Sequence, residues 1–218
     1  RAPPSRDSDR RVVEARSRIE ALEALLARAR NRLSLNDPQS ALPILQAVLD
    51  SPVDSFLLHQ GAIRSARRAA LQLIRTHPAI GIRRYRDLYR PSAAPLLRQA
   101  DRLRGTARIV ALQRIVRRYR LTAAGYEALN QLATIWLDQG HPDLAWRALR
   151  MMAAESAHPA GFTPAIHLKI LAASRLTGLP LPPGVRPDPA KLEQLRRPPL
   201  TDWPLPLGSA RDNHAPEA

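Results

Sequence analysis

Two short runs in the chain combine arginine with tyrosine, a combination that typically serves nucleic-acid binding. Both runs read RRYR, one at residues 83–86 and the other at residues 117–120. Guanidinium groups bind phosphates, and aromatic rings stack on bases. The pattern raises one hypothesis, an arginine-rich nucleic-acid or anionic-polymer binding domain. Its candidate contacts are Arg64, Arg68, Arg75, Arg83, Arg117 and Arg118.

A second interpretation of the arginines involves no ligand. The tyrosines pack inward while the arginine stems cover helix faces, and the helical phase around Tyr119 favours this arrangement. The formal net charge is +15, yet Lys169 and Lys191 are the only lysines among 34 basic residues. Such a bias, with many Ala, Pro and Leu residues, is typical of GC-rich coding, which raises arginine content without selection for phosphate binding. The charge alone therefore leaves both interpretations open.

Residue types that carry out catalysis or bind metals form no recognisable arrangement in this sequence. The histidines are scattered, none pairs with another at i, i+4 on one helix, and no Gly-rich phosphate loop is present. The absence of cysteine excludes disulfides, thiol catalysis and thiolate metal sites. We predict a protein that is not an enzyme, with no catalytic or cofactor-binding residues, no cofactor and no metal ligands.

Apolar periodicity and capping signals predict helices through most of residues 8–178. Apolar residues recur every seven positions from residue 12 to residue 33, which indicates one long helix with a packing seam. Asp37 and Pro38 mark the start of the next helix. Residues 55–61 fit a loop or an irregular helix end, and no strand is predicted. Further helices are predicted at residues 62–76, 79–89, 91–103, 106–119 and 161–177.

The best-defined helix pair lies at residues 122–155. Leu132 and Trp136 belong to an apolar stripe of the first helix, and Gly140 suits a left-handed cap at its end. Pro142 suits the first turn of the second helix. Such a pair buries its apolar faces only by stacking on further pairs, so the fold class is all-α.

This helix pair resembles a tetratricopeptide repeat at residues 129–152. The resemblance implies a right-handed solenoid of helical hairpins. It also implies that the residues of the repeat signature are packing and turn positions rather than a binding site. The positions that match the repeat's signature are Leu132, Ala133, Trp136, Gly140, Ala145, Leu149 and Met152.

Proline becomes frequent after Gly178, and this change divides the chain. We predict a frayed lead-in at residues 1–7, a tetratricopeptide-like helical domain at residues 8–178 and a Pro-rich linker at residues 179–201. Residues 202–218 are not linker-like, and they fit either the start of a further domain or a disordered tail.

The order of these features is similar to the N-terminal region of bacterial PQQ-like β-propeller repeat proteins, some of which are related to an outer-membrane assembly factor. In that family a helical domain precedes the propeller, and a Trp-Pro-x-x-x-Gly-x-x-Arg-Asp-Gly-like run opens the first blade. The helical similarity spans roughly residues 38–178. The matching residues of the blade run are Trp203, Pro204, Gly208, Arg211 and Asp212.

The resemblance implies an exported scaffold of the periplasm or cell envelope that binds a protein or peptide, or the adjoining propeller. No signal peptide is visible in the sequence, which begins with Arg1. No apolar run approaches the length of a membrane span. Binding of a protein partner is therefore the favoured hypothesis, and binding of nucleic acid is the alternative.

Overall fold

The computed structural model describes residues 6–59, 62–154, 163–183 and 185 of the chain. These residues form eight helices and one two-stranded hairpin, which confirms the predicted all-α class as a mostly helical chain. The elements in chain order are α1 (Arg6–Ser34), α2 (Pro38–Asp50), β1 (Phe56–His59), β2 (Ala62–Ser65), α3 (Ala66–Thr76), α4 (Ile82–Asp101), α5 (Gly105–Tyr119), α6 (Ala123–Asp138), α7 (Pro142–Ala153) and α8 (Pro164–Thr177).

Local capping chemistry fixes the turn between α1 and α2. Asp37 Oδ1 accepts a hydrogen bond from Ser40 N at 3.1 Å, and Pro38 occupies the first turn of α2, where no intrahelical N–H is needed. The predicted start of this helix is thereby confirmed. Pro43 lies in the second turn of α2 without ending it; it removes the hydrogen bond to Gln39 O, but Gln39 and Pro43 are exposed, so water can satisfy that carbonyl.

The prediction that residues 8–178 contain no strand is wrong, because β1 and β2 form an antiparallel hairpin. Strands of four residues are too short for apolar alternation to stand out in a sequence. Helix α3 begins at Ala66 rather than at residue 62 because Ser65 caps it. The Oγ of Ser65 accepts from Arg68 N at 3.1 Å and donates to Asp54 Oδ2 at 2.5 Å.

The two helices predicted at residues 79–89 and 91–103 are one continuous helix, α4. Pro91 and Pro95 both lie inside it. Each proline removes one backbone hydrogen bond, which normally ends or kinks a helix. Both prolines are exposed, so water can satisfy the carbonyl groups that they leave without a helical partner.

The described helices form two compact units that divide between Gly125 and Tyr126, within α6. In the first unit α2 packs against α1, α3 and α5, and α4 packs against α5. The core of this unit is mostly aliphatic, and Tyr85 is its largest fully buried side chain. The boundary falls inside the helical domain predicted at residues 8–178, whose folding as one unit stays a prediction.

In the second unit α7 packs against α8. Gly140 has a φ of +74° at the end of α6, and Pro142 begins α7, so the predicted turn of the helix pair is confirmed. After α8 the chain turns back: Trp146 Nε1 donates to Pro180 O at 3.2 Å, and Val185 is buried. The predicted linker therefore opens with a packed segment.

Several sequence predictions fall outside the described residues. They are most of the lead-in at residues 1–7, the linker beyond residue 185 and the blade-like segment at residues 202–218. These remain predictions.

The corner between α5 and α6 requires glycine at residue 125. Thr122 is buried, and its hydroxyl donates to Tyr119 O at 2.7 Å while accepting from Gly125 N at 3.2 Å. A Cβ on Gly125 would lie 2.0 Å from Tyr119 O and 2.6 Å from the Cα of Arg120. Both contacts are with backbone atoms, which cannot move aside without opening the corner.

We expect Gly125→Ala to destabilise the first unit by about 3 kcal/mol, the upper end of the usual range for overpacking. The measurement is urea unfolding of the full chain followed by far-ultraviolet circular dichroism.

Gly105→Ala is the matched control in the same unit. Gly105 has a φ of +52°, and an added Cβ would meet nothing within 4 Å. Only the conformational cost of about 1 kcal/mol applies there. Equal destabilisation by the two substitutions would contradict the close approach at the corner.

Candidate functional site

Arg118, one of the predicted anion contacts, is held in an ion pair within the first unit. Its Nε donates to Asp50 Oδ1 at 2.6 Å, and its Nη2 donates to Asp50 Oδ2 at 3.1 Å. This two-point geometry is the strong form of an arginine–carboxylate pair. The hydrogen bonds that Arg118 donates to Asp50 raise the pKa of Arg118 above its usual value. Arg118 therefore joins α5 to α2.

Arg68 and Arg75 lie seven residues apart on α3 and share one side of that helix. Arg120, which the sequence analysis did not select, lies close enough to feel the charges of both. Burial, with repulsion from Arg75 and Arg68, lowers the pKa of Arg120 to about 10. Two of these guanidinium groups belong to α3, and the third belongs to the residue that follows the last residue of α5. We call the three the arginine cluster of α3 and α5.

The other predicted contacts lie elsewhere. Arg83 is exposed in the first turn of α4, and Arg64 is exposed on β2. Arg117 is partly buried near Arg67, whose pKa is lowered by burial and by the charge of Arg117, against the opposing effect of Asp54. The six predicted residues thus come from four elements, and among them only Arg68 and Arg75 belong to one cluster.

A buried hydrogen-bond network surrounds Gln46 on α2. Gln46 Nε2 donates to Asp50 Oδ1 at 2.8 Å and to Arg118 O at 3.1 Å. The hydroxyl of Tyr85 donates to Gln46 Oε1 at 2.8 Å and lies 3.3 Å from Arg118 O. The network joins α2, α4 and α5. The only feature of the sequence that indicates this network is a glutamine on the otherwise apolar face of α2.

Tyrosine rings extend this network. The rings of Tyr85 and Tyr89 are 4.8 Å apart, and those of Tyr89 and Tyr119 are 6.3 Å apart. Tyr85 and Tyr119 are both buried, so the inward packing proposed for the tyrosines of the RRYR runs is observed. Burial raises the pKa of Tyr85 strongly and that of Tyr89 to about 12.

A groove of about 510 Å³ opens between α1, α3 and the hairpin, all within the first unit. Both helices line it with residues at the same spacing, i, i+3, i+4 and i+7, so each presents one stripe about 10 Å long. The hairpin contributes Leu57 and Arg64, which are direct cross-strand partners and share one face. The lining residues are Glu23, Leu26, Ala27, Arg30, Leu57, Arg64, Ala69, Gln72, Leu73 and Thr76.

The groove has an apolar floor and a polar rim. Leu26 and Leu57 are buried, and Leu73 is partly buried. The polar lining residues are all exposed, and among the described residues Glu23, Arg30 and Arg64 belong to no ion pair. Periodicity identified Leu26 as a seam residue, but no sequence signal brought the two helices and the hairpin together.

Nothing resembling a metal centre was found where the structure is described, since no three His, Asp or Glu side chains converge there. Among the described helices, none is long and apolar enough to cross a membrane. No family model, curated protein or solved structure matches this chain. Within the described part of the chain, the groove offers a concave site and the arginine cluster a concentration of positive charge.

Tyr85→Phe tests the buried network. The substitution leaves Gln46 Oε1 without its buried donor, which costs about 1–3 kcal/mol. We expect the free energy of urea unfolding to fall by that amount. Tyr89→Phe is the control, because the Tyr89 hydroxyl makes no hydrogen bond among the described residues. Equal losses in both variants would show that the network does not stabilise the fold.

The ionisation of Tyr89 provides a second test. The difference between the absorbance titrations of the wild type and Tyr89→Phe should have a midpoint near pH 12, not the ordinary value of about 10. A raised folded-state pKa stabilises the fold below pH about 10, and this contribution is lost as the pH rises towards 12. A midpoint near 10 in folded protein would contradict the burial of this ring.

Proposed function

We propose that the chain is a non-catalytic interaction module that holds a short segment of a partner protein in the groove between α1, α3 and the hairpin. The observation that carries the proposal is the combination of a partly exposed apolar floor, formed by Leu73, Ala69 and Ala27, with unpaired rim charges. Peptide-binding grooves use apolar pockets for affinity and a few polar groups for orientation.

The dimensions of the groove suit a peptide. A stripe of about 10 Å accommodates three or four residues of an extended chain at roughly 3.3 Å each. Ala27 and Ala69 line it with the smallest side chains that a helix favours, which leaves room for a partner side chain. Because Leu73, Ala69 and Ala27 leave apolar surface open to solvent in the groove, an apolar partner side chain is favoured there.

The proposal extends to the architecture of the chain. The packing of α1 on α2, α4 on α5 and α7 on α8 supports a right-handed, tetratricopeptide-like solenoid. The resemblance of residues 38–178 and 203–212 to PQQ-like β-propeller proteins supports a position ahead of a propeller, in an exported scaffold of the periplasm or cell envelope. The partner is then another protein or the propeller itself.

A second candidate function is the binding of an anionic polymer. The arginine cluster of α3 and α5 favours it, because a bound anion relieves the repulsion of Arg120 by Arg75 and Arg68. Arg118 contributes to this candidate less than the sequence suggested, since Asp50 already engages its guanidinium group.

Filling the groove should abolish binding of partner peptides. We expect Ala69→Trp to weaken, by about tenfold or more, every peptide that the full chain selects from an array of short synthetic peptides. Fluorescence anisotropy measures the affinity of each labelled peptide.

Ala21→Trp is the matched control, because Ala21 is exposed on α1 but does not line the groove. Unchanged binding in Ala69→Trp would overturn the groove as the binding site. An anionic-polymer surface predicts another outcome, in which a labelled DNA duplex binds with a steep dependence on salt and with equal affinity to both variants.

A further inference from the structure

The charges around the groove are not balanced. Arg30 on α1 and Arg64 on β2 supply two guanidinium groups, whereas Glu23 supplies the single carboxylate. Gln72 adds an amide that can donate hydrogen bonds, whereas the hydroxyl of Thr76 already donates to Gln72 O at 2.9 Å. The rim therefore presents an excess of positive charge and of donors above an apolar floor.

The two rim arginines also differ from those that serve the fold. Arg118 is paired with Asp50, and Arg86 Nε donates to Leu121 O at 2.9 Å. Arg30 and Arg64 have no ion pair within the described part of the chain, and both are exposed. An arginine in this state can take a carboxylate in the two-point geometry at little cost in desolvation.

We propose that the occupant of the groove is an acidic protein segment, in which an apolar side chain is flanked by carboxylates. The apolar side chain lies on Leu73, Ala69 and Ala27, and the carboxylates pair with Arg30 and Arg64. This proposal rests on the proposed function, since it names the chemistry of the segment that the same groove holds. Glu23 lies seven residues, or about 10 Å, from Arg30, at the other end of the α1 stripe. Its negative charge repels additional carboxylates of the segment at that end.

The phosphates of a nucleic acid would also pair with arginine, but the floor argues for a protein. A polynucleotide backbone offers no aliphatic side chain to cover Leu73, Ala69 and Ala27. Leaving such a floor open to water forfeits the hydrophobic contribution to binding. An acidic peptide satisfies both the floor and the rim.

Three labelled peptides test the proposal on the full chain by fluorescence anisotropy: leucine flanked by aspartates, leucine flanked by lysines, and alanine flanked by aspartates. We expect the first to bind tightest. Because an exposed ion pair contributes a factor of roughly two to five in affinity, two pairs should favour the first peptide over the second by about tenfold. The third should bind more weakly than the first, since it cannot cover the floor.

Charge reversal at the rim should change the preference between peptides. Arg30→Glu and Arg64→Glu should each weaken the aspartate–leucine peptide by about tenfold and strengthen the lysine–leucine peptide. Arg28→Glu is the matched control, because Arg28 is an exposed arginine of α1 outside the groove and its substitution changes the net charge equally. Glu23→Gln should strengthen the acidic peptide.

Each contrary result has a distinct meaning. Equal losses in Arg28→Glu and Arg30→Glu would show a general effect of charge and would overturn the pairing in the groove. Equal binding of aspartate and lysine peptides, both lost in Ala69→Trp, would overturn the acidic preference while the groove function stands. Binding of all three peptides that Ala69→Trp leaves unchanged would overturn both.

Discussion

A single buried amide on α2 sets the arrangement of the first unit. Gln46 is enclosed by apolar side chains, so its amide hydrogens and oxygen must find partners inside the protein. It finds them in Asp50, Tyr85 and the carbonyl of Arg118, on three different helices. Leaving one of these groups unpaired costs more than the bond itself contributes. The network thereby fixes α2, α4 and α5 relative to one another, and α1 and α3 follow because both pack on α2.

The end of α5 shows why such a network is needed. The last carbonyls of a helix have no partner inside the helix, and this helix ends within the core. Arg118 O accepts from Gln46, Leu121 O accepts from Arg86, and Tyr119 O accepts from the backbone and side chain of Thr122. The chain then turns so tightly that residue 125 has no room for a Cβ. Side chains from α2, from α4 and from Thr122 at the corner thus replace a conventional cap.

Local signals in the sequence predict local structure well, and they explain which parts of this fold could be foreseen. Asp37 with Pro38, and Gly140 with Pro142, act through atoms only a few residues away. The C-terminal ends of α1 and α6 and the starts of α2 and α7 therefore followed from the sequence. The hairpin and the continuous α4 did not, because packing decides them. Pairings such as Gln46 with Tyr85 or Asp50 with Arg118 join residues far apart in the chain, and a single sequence carries no signal for such distances. The groove likewise joins residues of α1, α3 and the hairpin that lie far apart in the chain, so its lining could not be derived.

The arginines are better judged by their surroundings than by their number. A net charge of +15 suggests that the chain binds a polyanion. However, Arg67, Arg86 and Arg118 each donate hydrogen bonds to groups of the protein itself. The charges that remain available in a concave, apolar site are few, and the groove they line is only about 10 Å long. Such a small contact gives weak and reversible binding on its own. A module of this kind gains useful affinity when several copies or sites act on one partner, because linkage raises the effective concentration without any new contact.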